Sequence, residues 1–221
     1  MNYVLVHSPL LGPASWAPVA ALLDAAVPAL HEMPPSGQAI VERVVASAGE
    51  GPVILVAHSN AGYFMPAVVG AMPRRVAACV FVDASLPART GPTTGIVAPG
   101  ALDRLRDRVV DGLLPPWTTW WPGADFAELV PDPLIRRAVE AEQPRIPLWY
   151  YEQRLPVPAG WDAVPCGYLR FSAHYAPAAA QAEDRGWLVE HLPGQHLHQL
   201  VDPRAVADRL TAMGTALSGR S

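Results

Sequence analysis

The segment VAHSNAG, residues 56–62, places a lone serine, Ser59, between an apolar strand pattern and a helical pattern. A strained strand-to-helix turn presents a serine hydroxyl as a nucleophile and needs small neighbours, here Ala57 and Ala61 where glycine is usual. The turn also aims the N–H of Asn60, at the start of the helix, at an oxyanion. We therefore predict Ser59 as the nucleophile and Asn60 as an oxyanion-hole donor. Simple capping of the helix by Ser59 is the alternative.

A serine nucleophile needs a base, and the segment LPGQHLHQLVDP near the C-terminal end offers His196 and His198. A strand, a glycine-containing loop, a histidine and a final helix would bring an imidazole back over the edge of the sheet where the serine lies. The order serine, acid, histidine along the chain fits such a site. A His-X-His pair also suggests zinc, but no third ligand with suitable spacing is visible. We predict no metal and no cofactor.

The elements that must position these residues are apolar strand patterns that alternate with helical patterns. The predicted strands are 3–7, 52–58, 76–84 and 166–172, with 187–192 as a fifth and the proline-damaged segment 27–33 as a weak sixth. The predicted helices are 15–26, 36–48, 61–71 and 203–217. Nearly continuous apolar strands are typical of a sheet covered on both faces. The pattern predicts an α/β fold with a mostly parallel sheet.

The alternation breaks between the strand that ends near Asp83 and the strand that begins near Cys166. This stretch contains most of the prolines and five of the seven tryptophans, interrupted by helical patches at 100–112 and 132–143. We predict one domain, 1–221, in which 88–163 is an aromatic-rich helical lid. A surface excursion that packs only on itself is the alternative; we favour the lid because exposed tryptophans need a partner surface.

Composition limits the function classes. The 221 residues are 51% hydrophobic and 16% charged, as expected of a globular chain with one large core. The net charge of −4 does not indicate binding to nucleic acid or to an anionic membrane. All 16 basic residues are arginine, which excludes lysine nucleophiles and Schiff bases. Cys79 and Cys166 lie in apolar runs and are predicted to be buried free thiols. With no signal-peptide pattern and no membrane-length apolar run, we expect a cytoplasmic protein.

Four blocks resemble the α/β-hydrolase superfamily, in particular its plant esterase and hydroxynitrile-lyase branch and small bacterial natural-product tailoring hydrolases and acyltransferases. These blocks are VLVHSPLLGPASW (4–16), LVAHSNAG (55–62), VFVDASLP (80–87) and PGQHLHQLVDPRAVADRL (193–210). The resemblance covers 1–87 and 164–218 and leaves the insert unmatched. It implies the α/β-hydrolase fold with the insert between the third and fourth predicted sheet strands.

The resemblance also implies roles for the histidine and the acid. The family histidine precedes an Asp-Pro or similar helix start by six residues, which carries over to His196; His198 is the alternative base, or lines the pocket. After the strand 166–172, where the family usually has its acid, this chain has no carboxylate. Some members place the acid at the end of the preceding strand, where Asp83 stands, so we predict that Asp83 orients His196. A Ser–His dyad, with Asp83 only capping a loop, is the alternative.

A second departure concerns the oxyanion hole. In the family, the second residue after the histidine of the first block donates its backbone N–H to the oxyanion. Here that histidine is His7 and the second residue after it is Pro9, which has no N–H. We expect either that Leu10 supplies the donor or that the hole depends on Asn60 and a side chain such as Ser8. One missing donor costs ~10²–10³ in rate. A weak hydrolase, or an enzyme with a different reaction, is therefore compatible with the sequence.

The leading hypothesis is a serine acyl-transfer enzyme. Ser59 attacks an ester or thioester carbonyl, His196 accepts and returns the proton, and the Asn60 N–H holds the oxyanion. Water as acceptor makes it an esterase or thioesterase; an alcohol, thiol or amine makes it an acyltransferase. The expected partner is a small-molecule acyl substrate, free or carried on a thiolation protein or coenzyme A. Alternatives on the same fold are a lyase of the hydroxynitrile-lyase type and a non-catalytic small-ligand binding protein.

The aromatic residues of the insert indicate a hydrophobic acyl group, including an aromatic one. The predicted substrate-binding residues are Trp117, Trp120, Trp121, Trp149, Tyr150 and His198. The alternative for the aromatic residues is that they form only the core of the lid itself.

Overall fold

The computed structural model describes residues 1–33, 35–72, 75–97, 100–120 and 126–219. Within these ranges, five parallel strands form a sheet in the order β1-β2-β3-β8-β9. Its strands are β1 (Asn2–Val6), β2 (Val53–His58), β3 (Val76–Val82), β8 (Cys166–Arg170) and β9 (Leu188–His191). The predicted mostly parallel sheet is confirmed, each strand shifted or trimmed by one or two residues.

Helices cover both faces of the sheet. They are α1 (Ala17–Leu23), α2 (Gly37–Ser47), α3 (Met65–Ala71), α8 (Ala176–Asp184) and α9 (Pro203–Ser218). Successive residues of a strand point to opposite faces, so in β2 Leu55 joins the core under α2 and α3, whereas Ile54 and Val56 join the core under α1 and α9. This is why β2 is apolar at almost every position rather than at alternate ones.

Two predicted elements differ from the structure near the site. The segment 27–33 is not a strand: its neighbourhood contributes only an isolated bridge, Val4↔Ala26, and the Leu30 N–H donates to Nε2 of His7 instead of to a strand. Pro28 also removes one ladder donor. The predicted helix 61–71 begins as a 3₁₀ turn, Ser59–Phe64, and becomes α-helical only in α3.

The insert forms small elements of its own among the described residues. These are β4 (Thr93–Gly95), β5 (Leu113–Leu114), β6 (Ile146–Pro147) and β7 (Arg154–Pro156), with α4 (Ala101–Arg106), α5 (Phe126–Leu129), α6 (Pro133–Ala141) and α7 (Trp149–Glu152). β4 pairs with β7 and β5 with β6, both antiparallel. The patch predicted at 132–143 matches α6, but the patch at 100–112 is shortened to α4, which ends at Arg106. Asp111 and Gly112 adopt positive φ angles in a turn before β5, which no α-helix could include.

The two cysteines face each other across the sheet. Cys79 of β3 and Cys166 of β8 are register partners, and both are buried and free, as predicted. Burial raises the pKa of Cys166 to about 12, and that of Cys79 well above its usual value, so both stay protonated thiols. They belong to the core rather than to the chemistry of the chain.

Candidate active site

The serine turn has the geometry that a presented nucleophile requires. Ser59 follows β2 directly and has φ +59°, a left-handed conformation that is uncommon for a residue other than glycine. Ala57 and Ala61 on either side are completely buried, and a Cβ on Gly62 would lie 2.0 Å from the carbonyl oxygen of Ser85. The backbone of Ser85 therefore lies so close to this turn that no side chain fits at Gly62.

A hydrogen-bonded chain joins Ser59, His196 and Asp83. The Oγ of Ser59 lies 3.0 Å from Nε2 of His196, and Nδ1 of His196 lies 2.9 Å from Oδ2 of Asp83. Because an ionised carboxylate can only accept, Nδ1 carries the hydrogen and Nε2 accepts from the serine hydroxyl. The imidazole is thereby held in the tautomer that a general base for Ser59 needs.

The carboxylate of Asp83 is buried but fully provided with donors. Its Oδ1 accepts from the backbone N–H groups of Phe171 (2.9 Å) and Ser172 (3.0 Å), and its Oδ2 accepts from the Ser172 hydroxyl at 2.7 Å as well as from His196. Burial alone would raise the pKa of Asp83, but His196 and the Ser172 and Phe171 hydrogen bonds outweigh it and lower the pKa below its usual value. Asp83 is therefore a charged acceptor at neutral pH.

The loop before α9 distinguishes the two candidate histidines. His196 reaches Ser59, whereas the ring of His198 packs edge-on against Phe171 with centroids 5.5 Å apart and lies against Gly194, where a Cβ would come within 2.4 Å of His198 Cγ. Gly194 thus lets the loop close over His198. The geometry supports His196, not His198, as the base; a substrate-binding role for His198 stays a prediction.

His58, immediately before the nucleophile, holds the loop of His196. Its Nε2–H donates to the carbonyl oxygen of His196 at 2.9 Å, and the two rings stack with centroids 4.6 Å apart. Burial, followed by repulsion from His196, lowers the pKa of His58 to about 3. His58 therefore stays neutral beside His196. It does not repel the positive charge that His196 acquires when it acts as a general base.

The first-block loop lies beside the nucleophile because Val6 and Ala57 are paired in neighbouring parallel strands. In this loop the Leu10 N–H donates to Oγ of Ser8 at 3.3 Å, so the donor predicted to replace the one lost at Pro9 is engaged within its own turn. Ser8 and Leu10 are both buried. Asn60 occupies the first turn after Ser59, where backbone N–H groups have no partner inside the helix.

The side chain of Asn60 connects the serine turn to the insert. Its Nδ2 donates to the carbonyl oxygen of Ile96 at 2.9 Å, and its Oδ1 accepts from the Tyr150 hydroxyl. Tyr150 is completely buried, and burial raises its pKa well above the usual value, so its hydroxyl is a neutral donor. The insert is therefore fastened to the residue that follows the nucleophile.

The predicted aromatic residues lie at different distances from the site. The ring of Trp117 lies 5.9 Å from that of His196, Trp120 is buried against Tyr151 with its Nε1 donating to the Pro115 carbonyl, and Trp149 is 46% exposed. Trp121 lies outside the described residues. Of these tryptophans, Trp117 has a ring contact with His196, and substrate binding by the set stays a prediction.

Tyr175 is a site residue that the sequence analysis missed. Its hydroxyl lies 3.5 Å from Oγ of Ser59, and its ring stacks on His196 with centroids 5.0 Å apart and planes 12° apart. It lies in the loop between β8 and α8, where the sequence resemblance implies an acid. The available signal was that this loop, lacking a carboxylate, still ends at the edge of the sheet where Ser59 lies.

No protein-family model and no curated protein sequence matches the chain. Solved structures do match. An extracellular α/β-hydrolase from a Paenibacillus species, described as homologous in structure and function to tobacco salicylic acid binding protein 2, is 18% identical with a TM-score of 0.72 over 97% of this chain and 99% of its own. Polyneuridine aldehyde esterase is 16% identical with a TM-score of 0.69 over 96% and 98%. A variant of tomato methylketone synthase I, in complex with β-ketoheptanoate, is 15% identical with a TM-score of 0.70 over 98% of both.

Two further findings concern the described residues as a whole. None of their helices is both long and apolar enough to cross a membrane, and they contain no cluster of three or more histidine, cysteine, aspartate or glutamate side chains suited to a metal ion. One similar structure is described as extracellular, and a cytoplasmic location stays a prediction.

The matches extend over almost the full length of both chains, including the insert that the sequence blocks left unmatched. The parallel sheet with the order β1-β2-β3-β8-β9, flanked by helices, agrees with them. The chain therefore has the α/β-hydrolase fold.

Proposed function

We propose that this chain is a serine-dependent acyl-transfer enzyme acting on an ester or thioester. The observation that carries the proposal is the unbroken hydrogen-bonded chain from the Ser59 hydroxyl through His196 to a buried, charged Asp83. A serine that only capped a helix would need neither the strained φ angle nor the imidazole. The name of one similar structure, an esterase, supports the same class of reaction.

The geometry supports a two-step reaction. In the first step, Ser59 Oγ bonds to the acyl carbon while its proton passes to Nε2 of His196, and Asp83 stabilises the imidazolium through Nδ1–H. The carbonyl electron pair moves to oxygen, where the Asn60 N–H donates to it. When the pair returns, the bond to the leaving group breaks and His196 gives that group its proton. An acceptor then repeats the sequence on the acyl-serine.

The acyl group is proposed to be hydrophobic, with an aromatic group as one case. The ring of Trp117 next to His196 supplies an apolar wall close to the point of attack. Tyr150 and the residues around it bring further aromatic surface to the serine turn through Asn60. A thioester substrate carried on a thiolation protein or coenzyme A is included in the proposal.

The acceptor is water in the simplest form of the proposal, which makes the enzyme an esterase or thioesterase. An alcohol, thiol or amine in place of water would make it an acyltransferase, and the covalent step at Ser59 is the same for all of them. The ratio of acyl transfer to hydrolysis with added nucleophiles measures which acceptor the enzyme uses.

Covalent labelling tests the proposal. A fluorophosphonate should add once to the wild-type chain, as seen by intact mass, with the adduct mapping to Ser59. Ser59→Ala and His196→Ala should lose labelling, since one lacks the nucleophile and the other the base. Ser47→Ala is the matched control, because Ser47 only donates to the Arg43 carbonyl of its own helix.

Two results would contradict the proposal. Equal labelling of wild type and Ser59→Ala would mean that Ser59 is not the nucleophile. A wild-type chain that does not label and turns over no aryl or alkyl ester would leave a lyase or a small-ligand binding protein on the same fold as the better description.

A further inference from the structure

Tyr175 touches the reacting oxygen of the proposed site. It precedes α8, and its hydroxyl lies 3.5 Å from Ser59 Oγ, at the outer limit of a hydrogen bond. Catalytic hydrogen bonds are often long in a free enzyme and shorten when substrate is bound. Among the described residues, the side chains within hydrogen-bond distance of Ser59 Oγ are those of His196 and Tyr175.

The direction of this contact follows from the hydrogens available. The hydrogen of Ser59 is directed to Nε2 of His196, 3.0 Å away, so Oγ can only accept from Tyr175. Burial raises the pKa of Tyr175 to about 12, against the smaller opposite effect of its hydrogen bond to Ser59. The phenol is therefore protonated at neutral pH and is a donor, not a base.

The backbone near Ser59 offers few N–H donors for an oxyanion. In the loop that follows β1 beside Ser59, Pro9 has no N–H to donate, and the N–H of Leu10 donates to Ser8 Oγ at 3.3 Å. The Asn60 N–H then remains as the backbone donor, whereas oxyanion holes of acyl-transfer enzymes combine several donors. In the tetrahedral intermediate, the oxyanion is bonded to the same carbon as Oγ, so a hydroxyl beside Oγ is within reach of it.

We infer that Tyr175 is a further catalytic residue of this site, whose hydroxyl donates a hydrogen bond to the oxyanion and replaces the donor lost at Pro9. The inference rests on the proposed function. Tyr175 keeps its proton throughout: the carbonyl electron pair moves to oxygen as the Ser59 bond forms and returns as the leaving group departs, while His196 alone transfers a proton.

Tyr175→Phe isolates the hydroxyl. It keeps the ring that stacks on His196 at 5.0 Å, so the imidazole keeps its packing while the donor is removed. With an aryl ester, kcat should fall about 100-fold, as for the loss of one oxyanion donor, and KM should change less than about threefold because the donor acts in the transition state. An aryl boronic acid, which forms a tetrahedral adduct with serine, should lose affinity by a similar factor.

Tyr3→Phe is the matched control. This variant also removes a hydroxyl that has a side-chain partner, Thr211 of α9. Tyr3, however, packs against the core under α1 and α9, away from Ser59. It should keep kcat, KM and boronic acid affinity near the wild-type values. Thermal unfolding of both variants shows whether either has lost its fold.

The test separates this inference from the proposed function. If wild type is phosphonylated at Ser59 but folded Tyr175→Phe has kcat and boronic acid affinity within twofold of wild type, the inference about Tyr175 is wrong and the proposed function stands. A fall in kcat with unchanged boronic acid affinity also overturns it, since the hydroxyl would not then contact the tetrahedral oxygen. If wild type is not phosphonylated, the proposed function fails first.

Discussion

At the residue scale, the orientation of His196 depends on one carboxylate at the end of a strand. Asp83 has φ +41° and is held by its own backbone N–H to the Leu169 carbonyl as well as by the donors of Phe171 and Ser172. These contacts hold both carboxylate oxygens in place independently of His196. The Asp83 carboxylate that accepts from the imidazole of His196 is therefore held in one orientation.

Replacing Asp83 by asparagine should lower kcat about 10⁴-fold, because an amide can donate to Nδ1 and select the wrong tautomer. Some stability should also be lost, since an NH₂ in the place of Oδ2 would face the Ser172 hydroxyl, which donates to Oδ2 of the aspartate. Steady-state kinetics and thermal unfolding measure the two effects. Asp132→Asn is the control, because Asp132 only caps α6 and asparagine is an equally good cap. Near-normal turnover in a folded Asp83→Asn chain would favour a Ser–His dyad.

The sequence predicts Ser59 from its local surroundings, a strand pattern and small neighbours, whereas the choice of His196 and Asp83 follows from the blocks that resemble the α/β-hydrolase superfamily. Tyr175 could not be predicted, because a tyrosine before a helix has no signature until β8 is placed next to β3. The engagement of Leu10 by Ser8 depends on a turn geometry that residue types alone do not specify.

At the element scale, the described part of the insert contacts the site at His196 and at Asn60. The 3₁₀ turn Trp117–Thr119 places a tryptophan ring against His196, and α7 places the Tyr150 hydroxyl on Asn60. The aromatic-rich stretch was recognisable in the sequence, but which of its rings reaches the site was not, since that depends on the antiparallel pairs β4–β7 and β5–β6. A lid function for 88–163 remains a prediction.

If Trp117 lines the acyl site, Trp117→Ala should remove apolar contact worth about 1–3 kcal/mol. The specificity constant kcat/KM for a bulky aryl ester should then fall about 10- to 100-fold, and that for an acetyl ester should change little. Trp149→Ala is the comparison, because that ring is 46% exposed and belongs to the same insert. Equal losses for both esters would indicate general damage, and no loss for either would assign Trp117 to the core of the insert alone.

At the scale of the whole molecule, two buried histidines link stability to pH. His7 donates through Nδ1 to the Ser8 carbonyl and accepts from the Leu30 N–H, and burial lowers its pKa to about 4. Burial, with repulsion from His196, lowers the pKa of His58 to about 3. His7 directly follows β1 and His58 ends β2, and both side chains are completely buried, so protonation would place charge in the interior next to the site.

Stability should therefore fall as the pH falls below the ordinary histidine pKa of about 6.5. Between that value and pKa values near 4 and 3 the unfolded chain binds more protons, and each histidine costs about 1.4 kcal/mol per pH unit. The free energy of unfolding by urea should be about 4 kcal/mol lower at pH 5 than at pH 7.5. Asp83 does not contribute to this change, because its pKa is lowered and the stability that its charged form provides is lost only as the pH falls below about 3.8.

His58→Gln keeps a side-chain NH donor and should remove about half of the pH dependence. An unfolding free energy that is the same at both pH values would show that neither histidine is buried as a neutral ring.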